Sequence, residues 1–136
     1  MTLKSFSRLL VSLMATGLIF AATAVLAGEH TKDSLKQVKE NLEADKAMLI
    51  DVREQDEWDS GHVQGATFLP LSDLNGKLTE KQQKKISKEK ILYLHCRSGG
   101  RCLIAGEILA KQGYQVRCLK PGYQDLISAG FEKAKD

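Results

Sequence analysis

"ILYLHCRSGGRCL", residues Ile91 to Leu103, decides how the rest of the chain is read. The apolar run Ile91-Leu92-Tyr93-Leu94 reads as a buried strand. It passes through His95 into Cys96, and Arg97, Ser98, Gly99, Gly100 and Arg101 follow at once. A helical run from Arg101 to Gln112 then closes at Gly113. A thiol therefore stands at the carboxyl end of a strand, where open α/β sheets place their sites. Gly99 and Gly100 allow the positive φ of a tight turn, whose successive N–H groups can converge on an anion. The following helix adds its positive end, and the two arginines add fixed charge. All of these favour thiolate over thiol, so a depressed pKa is predicted for Cys96, with room for an anionic substrate beside the sulfur. A lone Cys in such a turn is more commonly structural. Two arginines, two glycines and a helix around this one favour chemistry.

Outward from that stretch, strands alternate with helices. Leu35, Val38 and Leu42 recur at helical spacing between Thr31 and Lys46, with Thr31 or Asp33 as the expected N-cap. "AMLIDV" (Ala47–Val52) reads as a buried strand, "REQDEWDSGH" as a polar turn, and "ATFLP" (Ala66–Pro70) as a second strand ended by Pro70. "LSDLNGKLTEKQQKKI" reads as one helix or two short ones broken around Asn75-Gly76, and its "KQQKK" run as a solvated face. "YQVRCL" is a last strand and "GYQDLISAG" a short helix ending at Gly130. The strands are continuous apolar runs rather than alternating ones, which predicts a parallel sheet covered on both faces.

The chain has 136 residues, 43% apolar and 27% charged, and suits one globular domain. Its first 27 residues read as a secretory signal peptide: basic "MTLKSFSR", an uncharged apolar run from Leu9, and small Val25 and Ala27 before a cleavage point at Gly28. Cleavage after Ala24, or retention as an anchor, are the other readings. The expected location is periplasmic or secreted, with no membrane association after cleavage. The formal charge of +3 falls to about +1 without Lys4 and Arg8, which leaves no footprint for nucleic acid. Cys96, Cys102 and Cys118 are an odd count in a disulfide-permitting compartment, so at least one thiol is spare. His30, His62 and His95 are scattered and no C-x-x-C occurs, so no metal site and no cofactor are expected.

"LIDVREQDEWDSGHVQGATFLPL" (Leu49–Leu71), "LHCRSGGR" (Leu94–Arg101) and "GYQDLISAGF" (Gly122–Phe131) together resemble the rhodanese family of sulfurtransferases, in order and in spacing. The resemblance implies an α/β three-layer fold, a five-stranded parallel sheet with helices on both faces. It implies Cys96 as the nucleophile that carries a persulfide. Arg97, Ser98, Gly99, Gly100 and Arg101 would form the rest of a cradle, with both arginines on an anionic sulfur donor such as thiosulfate. The acceptor would be cyanide or a thiol. Asp51 and Arg53, at the end of a strand near the rim, are expected to support the loop by pairing with each other or with its backbone. Trp58 reads as core packing, His62 as a hydrogen-bonded turn residue, and His95 as structural, since it faces away from Cys96.

The sequence departs from the family pattern at Gln64, Pro121, Leu126 and Cys102. Cys102 stands where serine is usual, at a helix start that should lower its own pKa. Two other classes share the motif. Cysteine phosphatases also begin their loop with His-Cys but need five residues before the arginine, and here Arg101 comes one early. A thiol-redox or non-catalytic binding module using Cys96 and Cys102 is the second. A disulfide between them needs close Cα atoms and suitably aimed side chains, so Cys102 is expected to point into its helical turn.

Overall fold

The computed structural model describes residues 28–136, and the signal-peptide reading lies outside them. Helix α1 (Leu35–Glu43) leads into β1 (Ala47–Asp51), α2 (Gln55–Ser60) and β2 (Thr67–Phe68). A 3-10 turn (Leu71–Asp73) and α3 (Glu80–Gln83) follow, then β3 (Ile91–His95), α4 (Gly100–Ala110), β4 (Gln115–Cys118) and α5 (Tyr123–Ser128). The strands form one sheet in the order β2-β1-β3-β4, and every pair is parallel. Ile50 lies opposite Leu94, and Leu94 opposite Cys118, so β1, β3 and β4 end at one edge. Among the described residues no helix is long and apolar enough to cross a membrane.

Successive side chains of a strand point to opposite faces, and both faces here are covered. Leu92, Leu94 and Cys96 pack with Ile50, Val52, Cys102, Ala105 and Leu109 on the α4 side. Tyr93 packs with Leu49, Val38, Leu119, Tyr123 and Leu126 on the side of α1 and α5. This two-sided burial is why the strands lack polar alternation, as the parallel-sheet reading requires.

Among the described residues the sheet has four strands, not the five the resemblance implies; an isolated parallel bridge, His30 opposite Cys118, lies at its β4 edge, with Thr31 N–H donating to the Cys118 carbonyl at 2.8 Å. The chain leaves the sheet at once because Ser34 starts α1. The Ser34 hydroxyl accepts from Gln37 N–H, while the Gln37 side chain accepts from Ser34 N–H at 2.7 Å. That capping box shortens the helix and displaces both expected caps. Asp33 serves instead as acceptor for Arg117 at 2.7 Å and for the Tyr93 hydroxyl. The stretch read as a polar turn contains α2, where Glu54 N–H donates to the Glu57 carboxylate at 3.0 Å.

Candidate active site

Cys96 is the first residue beyond β3, and the loop it opens ends in α4. The two glycines differ in their work. Gly99 has φ 89°, in the left-handed region, and this turns its N–H onto the Cys96 sulfur at 3.1 Å. Gly100 is already helical and needs no positive φ, contrary to the sequence expectation. The backbone N–H groups of Ser98 and Cys102 also act on Cys96 in the direction that favours its anion. Ser98 is exposed on the outside of the turn.

The cationic surround is less open than the sequence suggests. Arg101 forms a fork with Glu57 of α2, its second nitrogen donating at 2.8 Å. The pair holds the Glu57 carboxyl down at about 2, chiefly through that hydrogen bond, and raises Arg101 in turn. The Arg97 side chain is exposed and makes no hydrogen bond or ion pair among the described residues. It lines a cleft of about 310 Å³ with Arg53, Glu57, Ser60, Gly61 and Tyr123. Cys96 precedes Arg97 in the chain but does not itself line the cleft, and it is 1% exposed.

Asp51 and Arg53 pair as expected. Arg53 donates from Nε at 3.0 and 3.1 Å and from Nη2 at 2.8 Å to the Asp51 carboxylate. Nη2 also donates to the Gly61 carbonyl at 2.7 Å, and the guanidinium lies 4.3 Å over the Tyr123 ring. Both charges are buried, and each is satisfied, which makes the pair a brace for the cleft wall rather than a free cation. His95 is fully buried on this side, with Nε2 3.7 Å from Asp51, and burial pushes its pKa down to keep it neutral. Trp58 is half-buried and stacks between His62 at 3.6 Å and Phe68 at 4.9 Å. His62 Nδ1 lies 3.0 Å from the Trp58 carbonyl, which fits the turn role expected of it.

The three thiols converge under the loop, and all are buried and free. Cys102 donates its S–H to the Gly99 carbonyl at 3.0 Å and to the Leu119 carbonyl at 3.3 Å, turned into its own helical turn. Cys118 donates to the Cys102 carbonyl at 3.0 Å. This convergence overturns the expected pKa depressions. The Cys96 thiol is pushed up to about 12, first by its hydrogen bond with the Cys102 thiol and then by burial, which outweigh the backbone donors. The Cys102 thiol is also pushed up to about 12, first by its contact with Cys118. The resting site therefore holds a thiol, and deprotonation gains ground only as pH rises towards the raised value. Iodoacetamide modification mapped to Cys96 should climb about tenfold per pH unit from about pH 6 to 10. A plateau reached near neutral pH would contradict this.

Sequence reasoning missed Glu57, His30 and Gly122. Glu57 had a local signal, an acidic residue three after Glu54 at a helix start. His30 and Gly122 had none, because each acts on a distant carbonyl of the loop. His30 Nε2 lies 2.8 Å from Gly99 O. A Cβ on Gly122 would lie 1.8 Å from Arg97 O.

The family described as "Rhodanese-like domain" matches residues 34–129. The chain is 29% identical to "Putative sulfur carrier protein YrkF" of Bacillus subtilis, over 72% of this chain and 56% of that protein. It is 38% identical to "Uncharacterized protein YqhL" of the same organism, over 58% of this chain and 60% of that protein. It thus spans little more than half the length of these relatives. A rhodanese-related protein from Thermoplasma volcanium superposes with a TM-score of 0.61 at 26% identity, covering 74% of this chain and 94% of that one. The human single-domain sulfurtransferase TSTD1 shares the fold, with a TM-score of 0.63 at 24% identity, over 71% of this chain and 94% of its own. The parallel sheet, the strand-end cysteine loop and a match over most of the described residues lead to one conclusion: the chain belongs to the rhodanese-like domain family of sulfurtransferases.

Proposed function

We propose that this protein moves a sulfane sulfur from thiosulfate or a similar small anion to cyanide or a thiol, through a persulfide on Cys96. The observation that carries the reading is the Gly99 N–H turned onto the Cys96 sulfur at 3.1 Å, in a loop with only four residues between Cys96 and Arg101. Such a loop suits a single sulfur atom better than a phosphoryl group. In the first stage Cys96, a thiol at rest, loses its proton to solvent, and the thiolate so formed attacks the outer sulfur of thiosulfate. A Cys96 S–S bond forms, the sulfur–sulfonate bond breaks, and sulfite leaves with the electron pair. In the second, cyanide takes the outer sulfur as thiocyanate and the Cys96 thiolate returns. Covalent catalysis of this kind predicts ping-pong kinetics.

Residue roles follow from which charges are committed. Arg97 is the cation that meets the donor and steadies departing sulfite. Arg101, held by Glu57, fixes the loop against α2 and adds charge from behind. Ser98, Gly99 and Gly100 supply the backbone of the cradle, and the Asp51–Arg53 pair holds the wall. Export to the periplasm or beyond belongs to the same reading and rests on the apolar run before Gly28. The thiol-redox alternative is disfavoured because the Cys102 S–H is spent on two backbone carbonyls.

Intact-mass measurement of the mature protein tests the reading. Thiosulfate should add one sulfur atom, cyanide should remove it as thiocyanate, and an aryl phosphate assay should stay near blank. Efficient Cys96-dependent phosphatase activity would overturn the choice of reaction.

A further inference from the structure

We propose that His30 is a positioning residue for the Cys96 loop, acting through the backbone of Gly99. His30 Nε2 lies 2.8 Å from the Gly99 carbonyl oxygen, 69 residues away in sequence. A carbonyl oxygen only accepts, so Nε2 carries the proton and His30 is the donor. The other end of the same residue, the Gly99 N–H, points at the Cys96 sulfur at 3.1 Å. Gly99 is thus held at both ends, and the left-handed turn that aims its N–H is locked from outside the loop by His30. The Cys102 S–H, at 3.0 Å from the same carbonyl, supports it from below.

The approach is close enough to require glycine: a Cβ on Gly99 would come within 2.9 Å of His30 Nε2. His30 is held in turn. It bridges Cys118 at the sheet edge, and Thr31 N–H bonds the Cys118 carbonyl at 2.8 Å. This bridge at the sheet edge therefore delivers a hydrogen-bond donor to the loop. Accepting that bond also polarises the Gly99–Gly100 peptide, which strengthens the Gly100 N–H, a donor with no partner inside α4.

The inference rests on Cys96 being the reacting sulfur, and its test separates the two. In the mature chain His30→Gln keeps a donor at the reach of Nε2, whereas His30→Asn and His30→Ala do not. The Ala and Asn variants should form the Cys96 persulfide from thiosulfate about tenfold more slowly, as loss of one hydrogen bond predicts, with KM little changed. The Gln variant should stay within about twofold of wild type, because the bond is remade. The Gly99 amide should exchange faster and shift upfield by NMR in Ala and Asn, and should resemble wild type in Gln. That readout needs no turnover, so it decides the positioning claim even if wild type takes up no sulfur, a result that would sink the reading of the site instead. An unchanged Gly99 amide in His30→Ala, or a Gln variant as impaired as Ala, would overturn the proposal.

Discussion

Cys96→Ser should take up no sulfur from thiosulfate, and its thiocyanate formation should fall by about a thousandfold or more, to background. Serine fits the space, and its hydroxyl oxygen can still accept from Gly99 N–H, so the fold should survive with only a small change in Tm. What is lost is the nucleophile. A serine hydroxyl is a far weaker acid than a thiol, and it cannot form the sulfur–sulfur bond on which the transfer depends. The neighbouring thiols should not substitute, because the Gly99 N–H points at Cys96 and the S–H groups of Cys102 and Cys118 are both engaged on carbonyls. Peptide mapping after thiosulfate checks this directly: the added sulfur should sit on the Cys96 peptide in wild type and be absent from the variant. Unimpaired thiocyanate formation by a folded Cys96→Ser protein would remove Cys96 from the mechanism.

The strand, the loop and α4 were legible because each carries a local signal. Continuous apolar character marks a strand buried on both faces, a cysteine followed by Gly99-Gly100 marks the turn, and Gly113 marks the stop. The pairing of Asp51 with Arg53 was legible too, since residues two apart on a strand end share a face. Helix α2 was not, because "QDEWDS" has no apolar periodicity. It is held by the Glu54–Glu57 capping contact and by Arg101, which comes from 44 residues away. The same ion pair explains why Arg101 looked like a free substrate cation from its loop alone.

The acid–base state of Cys96 failed for a related reason. Sequence proximity lists the charges of the loop, and they do favour a thiolate. It does not reveal that Cys102 on a helix and Cys118 on an edge strand bring two more thiols under Cys96, in a space that water does not reach. Burial and thiol–thiol contact then outweigh the local donors. The fifth strand was implied by family resemblance and never by an apolar run. The residues themselves supplied four such runs, and the sheet has four strands.

Gly122→Ala should be the most damaging of the small substitutions. Its φ of −92° is open to any residue, so the effect is one of space alone. A Cβ there would lie 1.8 Å from the Arg97 carbonyl oxygen and 2.5 Å from its carbon. Both atoms belong to backbone, so no side chain can move aside. The contact arises because α5 begins directly against the active-site loop, with Tyr123 N–H donating to the Cys96 carbonyl at 2.9 Å. Relief requires moving either α5 or the loop, and moving α5 also pulls Tyr123 from beneath Arg53. Overpacking of this kind costs about 1–3 kcal/mol or more, which for a domain near this size lowers Tm by about 5–20 °C. Sulfur transfer measured well below the new Tm should still fall by about tenfold, because the carbonyls under strain are those of Cys96 and Arg97 themselves. Gly100→Ala is the matching control: a Cβ there meets nothing within 4 Å and the residue is helical, so its Tm should hold or rise slightly. A Gly122→Ala protein with wild-type Tm and transfer rate would mean that α5 does not press on the loop as described.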